Sequence, residues 1–131
     1  MVSKKWSKFW KSSVSIRKQR KYVYNAPLHV KHKMLSAGLS KELKSSYGFR
    51  TIPVRKGDTV KIISGGFKNK SGKISKVMLA RGLVYIEGIE QLRADGSKAM
   101  YPIHPSNLQI IKLDLSDKRR VKKIERLKSG K

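Results

Sequence analysis

The chain has 131 residues, with 32 Lys and Arg against 8 Asp and Glu, for a formal net charge of +24. That imbalance does not set a fold; it points to a polyanionic partner, with RNA, DNA and an acidic membrane as the competing kinds. Cysteine is absent, which excludes a disulfide framework and a thiolate metal site, and no apolar run nears the ~18 residues that span a bilayer.

Charge divides the chain unevenly. Residues 1–53 carry 13 basic side chains and one acid, Glu42; residues 54–115 carry 11 against 5; residues 116–131 carry 8 against 2. The middle therefore reads as a folded domain and the ends as basic arms, because blocks of like charge favour disordered interaction tails in the absence of a partner. Hydrophobic content is 38%, below the roughly 45–50% of ordinary globular chains, so the core should be small. A domain of about 60 residues buries only about 60% of its unfolded surface, and a partner that binds the folded form adds stability by mass action.

The start is basic and aromatic, with Trp6, Phe9 and Trp10 at helical spacing among Lys4, Lys5, Lys8 and Lys11. It reads as a tail that packs aromatics into a partner; a transit peptide or a membrane-surface helix is the alternative. Arg17-Lys18-Gln19-Arg20-Lys21 follows as a dense basic run. Asn25-Ala26-Pro27 resembles a helix start, with Asn25 as cap and Pro27 in the first turn. Leu28, Lys31, His32 and Leu35 fall on one face of that helix, and Gly38 is expected to end it. Ser40 then caps a second short helix that carries Leu43 and Tyr47 and stops at Gly48.

From Val54 the period changes from helical to alternating. Thr59–Ile62 predicts a strand. Ile74–Leu79 predicts another, with a slip near Ser75 and Lys76 that suggests a bulge. Arg81-Gly82 marks a turn before the apolar strand Leu83–Ile86. Gly88 suggests a further turn, and Asp95-Gly96 a hairpin between Ile89–Arg93 and Lys98–Tyr101. His104-Pro105-Ser106-Asn107 reads as a turn before a last strand, Leu108–Leu113. Short strands so closely punctuated argue for a small barrel. Ser116 or Asp117 can cap a C-terminal helix with a thin apolar seam of Val121, Ile124 and Leu127. That helix is either solvated and frayed or docked on RNA.

Val54-Arg55-Lys56-Gly57-Asp58-Thr59-Val60-Lys61-Ile62 runs on into Gly65-Gly66-Phe67-Lys68-Asn69-Lys70-Ser71-Gly72-Lys73-Ile74. The stretch resembles a KOW motif, a strand, a basic glycine-containing loop and a second strand. Glycines admit a close backbone approach, and Lys68, Lys70 and Lys73 are expected together on the loop. Phe67 is either a core plug or a platform for base stacking. Tyr24-Asn25-Ala26-Pro27-Leu28-His29, Leu39-Ser40-Lys41-Glu42-Leu43, Tyr47-Gly48-Phe49-Arg50 and Pro102-Ile103-His104-Pro105-Ser106-Asn107 flank it. Over about Arg17 to Arg126 the chain resembles the KOW-containing large-subunit ribosomal protein family, number twenty-four in the universal series and twenty-six in the eukaryotic one. Its short C-terminal tail is similar to archaeal members.

The resemblance implies a mainly β fold, an SH3-like barrel over residues 54–115, with short helices in a basic extension over 1–53 and a basic helix or tail over 116–131. It also implies a seat on the rRNA of the large subunit near its 5′ domain, an early role in assembly and a position near the exit of the polypeptide tunnel. Neighbouring ribosomal proteins are the other expected partners, on a cytoplasmic ribosome. No cofactor, metal, membrane, small-molecule substrate or self-association is expected. The family usually has glycine where this chain has Asn69, a residue that tolerates left-handed backbone.

Catalysis finds no support in the sequence: the acids are scattered, His29 and His32 lack a third ligand, and there is no phosphate-binding loop of the Gly-Lys-Ser/Thr type. The alternative to a ribosomal protein is a free KOW-type transcription factor or DNA-compacting protein. The residues expected at RNA phosphates are Arg17, Lys18, Arg20, Lys21, Lys31, Lys33, Arg50, Arg55, Lys56, Lys68, Lys70 and Lys73, with Asn25 and Ser106 at sugar or backbone.

Overall fold

Alternating burial along short segments builds a seven-stranded sheet in the computed structural model, which describes residues 6–130. The strands are β1 (Ser36–Leu39), β2 (Thr51–Pro53), β3 (Thr59–Ile62), β4 (Ser71–Met78), β5 (Leu83–Leu92), β6 (Lys98–Ile103) and β7 (Leu108–Lys112). Their order is β2-β1-β7-β3-β4-β5-β6, antiparallel throughout except for the parallel β1–β7 pair. Every strand contributes to one apolar cluster, from Ile52, Ala37 and Leu39 through Ile110, Val60, Ile62 and Ile74 to Val84, Ile86 and Ile103. For all seven to share a single core, the sheet must curl around it; the fold is the small barrel-like β domain that the strand spacing predicts.

Strands β1 and β2 lie N-terminal of Val54 and were not legible in the sequence. The helix α2 (Leu28–Met34) ends well before Gly38, and Gly38 sits inside β1, opposite Thr51 and Gln109. Ala37 and Leu39 alternate into the core, and that burial decides for strand over helix at this point. Asn25 does not cap α2. It is the last residue of α1 (Ile16–Asn25), and Pro27 takes the cap position of α2 with its φ of −64°. The basic run Arg17–Lys21, expected in a basic arm, lies in the first half of α1. The short helix α3 (Lys41–Tyr47) follows expectation: the Ser40 hydroxyl accepts from the Leu43 amide, and Gly48 closes it in the left-handed conformation at φ 77°.

Two irregularities shape the sheet. Between Ile74 and Lys76 the β4–β5 register shifts, the bulge that the slipped alternation suggests. In β5 the turn expected at Gly88 is absent. Gly88 stands within the strand at φ 77°, and the β5–β6 register shifts between Tyr85 and Glu90. Val84, Ile86 and Ile89 are all buried, so the inward face passes from even to odd positions across this glycine. A bulge turns two short strands into one long bent one. Pro102 lies in β6, at the edge of the sheet, where a missing amide costs nothing.

A buried ion pair closes the domain. Helix α4 (Lys118–Ser129) brings Arg120 against Asp58, which follows Gly57 in the turn before β3. Arg120 is 3% exposed and Asp58 0%. The guanidinium donates twice, Nη1 to Oδ1 at 2.5 Å and Nη2 to Oδ2 at 2.7 Å, and also reaches the carbonyl oxygens of Asp114 and Pro53. The same carboxylate accepts from the backbone amides of Arg55 and Asp114 at 2.9 Å each. Of the polar atoms of the pair, Arg120 Nε is left buried without a partner. Ile124 of α4 is buried beside it, and Lys128 places its ammonium 4.6 Å from the Tyr47 ring centre. Helix α4 is thus docked on its own domain rather than frayed.

Truncating one partner of such a pair leaves the other charge buried and bare. Asp58→Ala and Arg120→Ala are each expected to cost about 3–5 kcal/mol in urea unfolding, and the double variant clearly less than the sum. Additive losses would contradict a direct coupling. Gly72 of β4 is a second sensitive point, because a Cβ there would stand 2.6 Å from Ile86 Cγ2 and 2.7 Å from the Glu87 carbonyl oxygen. Gly72→Ala should cost about 1–3 kcal/mol by the same measurement.

Candidate nucleic-acid interface

The loop from Ile63 to Lys70 joins β3 to β4 and is closed at its base by backbone pairing of Ile62 with its far end. Ile62 donates to the Lys70 carbonyl and Asn69 donates to the Ile62 carbonyl, both at 2.9 Å. The loop's tip tightens through Lys68 donating to Gly65 and Lys70 to Phe67, each at 3.2 Å. This path needs left-handed backbone at Gly65, φ 98°, and at Asn69, φ 68°, the one non-glycine residue among those described with positive φ. Beside Gly65 and Gly66 a Cβ would meet nothing within 4 Å, so the surface there is open to a close backbone approach.

Phe67 resolves as a packed side chain. It is half-buried against the core, its ring centre lies 5.0 Å from that of Tyr101, and the Lys70 ammonium sits 5.1 Å from that same Phe67 ring centre. The aromatic thus stiffens the loop and orients Lys70. Lys68 and Lys70 are exposed. Lys73 does not join them: it lies on β4 opposite Thr59, away from the loop tip, and shares a depression with Lys112 and Asp114. The Asp114 carboxyl is held below the usual carboxylate range, first by the Ser116 amide and hydroxyl, with Arg120 and Lys73 adding smaller pulls.

The second wall of this face is the 3-10 turn Pro105–Asn107 ahead of β7. Ile63 donates its amide to the Asn107 carbonyl at 2.8 Å, and Ser64 Oγ lies 3.0 Å from Asn107 Oδ1. His104 Nδ1 accepts from the Ser106 amide at 3.2 Å and lies 2.8 Å from its hydroxyl. Between loop and turn runs a cleft of about 130 Å³ that includes Ser64, Gly65, Gly66, Tyr101, His104 and Asn107. Its hydroxyl, imidazole and amide groups, its aromatic wall and the neighbouring ammonium groups suit a sugar–phosphate strand. Ser106 stands at its margin. Tyr101, His104 and Asn107 border this cleft and were not among the expected contacts, because nothing local in the sequence sets them against a loop some forty residues earlier.

The remaining expected contacts scatter over other faces. Arg17, Lys18, Arg20 and Lys21 are exposed along α1, with the Lys21 ammonium 4.9 Å from the Trp10 ring centre. Arg20 and Lys31 share a groove with Arg81, which sequence reasoning passed over. Lys31 donates to the Ala80 carbonyl at 3.2 Å and so ties α2 to the β4–β5 turn. Asn25 is half-buried at the end of α1, Lys33 is exposed near the end of α2, and Arg50 is exposed ahead of β2. Lys56 is exposed in the turn before β3, where Arg55 is ion-paired with Asp117. In the Trp-rich start, the Trp6 indole donates to the Tyr22 carbonyl at 3.1 Å and its ring lies 5.3 Å from that of Tyr22. That aromatic packs on α1, whereas Phe9 is 74% exposed.

Loop geometry at Asn69 is testable apart from any ligand. Asn69→Gly should leave urea stability unchanged or slightly raised, and Asn69→Val should lower it by about 1–2 kcal/mol. Equal stability of the two variants would mean that the turn does not need the left-handed conformation.

One family model matches residues 13–127, most of the chain, starting beyond the Trp-rich segment. Its description covers the ribosomal proteins named L26 in eukaryotes and their archaeal counterparts, numbered twenty-four. The curled sheet, the lysine loop and the closing helix α4 all fall inside that match, save the last residues of α4, and the chain therefore belongs to this L26-type family of large-subunit ribosomal proteins.

Proposed function

We propose that this structural protein of the large ribosomal subunit binds rRNA through the β3–β4 loop and the adjoining Pro105–Asn107 turn, without catalysing a reaction. The observation that carries the reading is the pairing of two exposed lysines, Lys68 and Lys70, which have no carboxylate partner among the described residues, with open glycine backbone on a loop that Phe67 and Asn69 hold in shape. A pre-formed cationic loop orders little on binding, so its charge goes into affinity. Arg17, Lys18, Arg20 and Lys21 on α1, with Lys31, Lys33, Arg50, Lys56 and Lys73, extend the contact with phosphates by charge alone. Arg55, already satisfied by Asp117, contributes less. Asn25 and Ser106 serve as hydrogen-bonding groups to sugar or backbone. Charge cannot choose a sequence, so recognition rests on RNA shape, 2′-hydroxyl groups and unstacked bases.

The family supports a place on cytoplasmic ribosomes among neighbouring ribosomal proteins, and the resemblance noted in the sequence adds an early role in subunit assembly near the polypeptide tunnel exit. Among the described residues no helix is long and apolar enough to cross a membrane. Binding to a 5′-domain rRNA fragment should weaken steeply with salt. If about ten phosphates are neutralised, log affinity against log salt should slope near −7 to −9. Lys68→Gln with Lys70→Gln should make that slope shallower by about 2 and weaken binding, with the fold unchanged by circular dichroism. Equal affinity for duplex DNA, or an unchanged slope in the double variant, would overturn the assignment.

A further inference from the structure

A second cationic depression lies away from the β3–β4 loop. It is a groove of about 580 Å³ bordered by His32 of α2, Val54, Arg55 and Lys56 ahead of β3, and Ser75, Lys76, Val77 and Leu79 of β4 and the turn after it. A regular strand sends neighbouring side chains to opposite faces. Here Ser75, Lys76 and Val77 all border one groove, at the bulge between Ile74 and Lys76. Ser75 donates its hydroxyl to the Tyr85 carbonyl at 3.1 Å and stays on the wall. The bulge therefore keeps Lys76 at the groove, over a floor of buried Val54 and half-buried Val77 and Leu79.

The charges around His32 come from every element that meets there. Arg55 and Lys56 belong to the β2–β3 connection, Lys76 to β4, and Lys123 to α4, while Asp117 at the start of α4 pairs with Arg55. Among the described residues, Lys56, Lys76 and Lys123 have no carboxylate partner. Burial holds the His32 imidazole below its ordinary pKa of 6.5, and repulsion by Lys123 and Arg55 adds to that. Burial, with this surplus of positive charge added to it, favours the neutral imidazole. An anion placed in the groove reverses the balance.

We propose that this groove seats a phosphate of the rRNA backbone between Lys56 and Lys76, and that His32 carries a proton when the phosphate is in place. The inference rests on the reading of the chain as an rRNA binder and adds to it a site and a linkage. The sign follows from the two states. The bound form holds its proton to higher pH than the free form, so binding takes up a proton between the two titration midpoints. Affinity then rises as pH falls through that window and levels off below the free midpoint.

The test uses the full chain and a 5′-domain rRNA fragment, with the imidazole signals of His32 and His29 titrated by NMR in the free and bound protein. Binding is measured in parallel from about pH 7.5 down to about pH 5.5. RNA should raise the His32 midpoint by at least about half a unit, equivalent to about threefold tighter binding to the protonated form. His29, exposed on the same helix and outside the groove, should move less. His32→Gln should lose that threefold gain, and Lys76→Gln, at an exposed position, should lose the rise in midpoint. If RNA binds with its steep salt dependence while the His32 midpoint stays put, the groove proposal is overturned and the loop interface stands. If RNA does not bind at all, both fall.

Discussion

A carboxylate taken fully out of water in a chain of net charge +24 needs hydrogen-bonding partners for both oxygens, and Asp58 has them. Each of its two oxygens accepts from the Arg120 guanidinium and from one backbone amide. This node joins three separate stretches: the turn before β3, the exit from β7 and the start of α4. Fixing the turn sets where β3 begins and hence where the β3–β4 loop emerges. Fixing α4 brings Lys123 toward His32 and Asp117 onto Arg55. The geometry of both cationic faces depends on one buried pair. Such a pair is more telling for arrangement than for net stability, since apolar replacements of similar shape can be as stable.

The rest of the molecule follows a division of labour by charge. The aliphatic core is drawn from all seven strands, and apart from Asp58 and Arg120 no charged side chain is buried among the described residues. The other cations stand mostly on the surface. Self-repulsion among them opposes compaction, and a polyanion that neutralises the surface removes that opposition while it binds. On the proposed reading, stability and polyanion binding are coupled through the same lysines and arginines.

Irregular backbone positions do the fine aiming. Gly65 and Asn69 bend the lysine loop into a rigid shape, and the β4 bulge keeps Lys76 beside His32. Gly88 lets β5 bend and continue into the hairpin with β6. Gly72 has a steric role instead, since only a residue without Cβ lets β4 pass Ile86 and the Glu87 backbone so closely. These positions explain why a motif rich in glycine and lysine behaves as a scaffold rather than as a flexible basic tail.

The central barrel strands, the Ser40 cap, the Gly48 stop, the β4 bulge and the left-handed Asn69 were legible in the sequence, because each follows from local pattern or local backbone preference. So was the surplus of positive charge, which composition alone sets. Strands β1 and β2 were hidden because Ser36-Ala37-Gly38-Leu39 has a glycine and no β-branched residue, and Thr51-Ile52-Pro53 is short and ends in proline; pairing with β7 and with each other stabilises them. The long β5 was hidden because the positive φ of a mid-strand Gly88 looks the same as a turn until its partner is seen. Arg120 was one basic residue among eight in the C-terminal segment, and no local signal separates the one that is buried from those that stay in water. The grouping of His32, Lys56 and Lys76, the union of Tyr101, His104 and Asn107 with the lysine loop, and the exclusion of Lys73 from it were likewise decided in three dimensions. Sequence determines how many charges there are and which backbone is strained; only packing decides which charges meet.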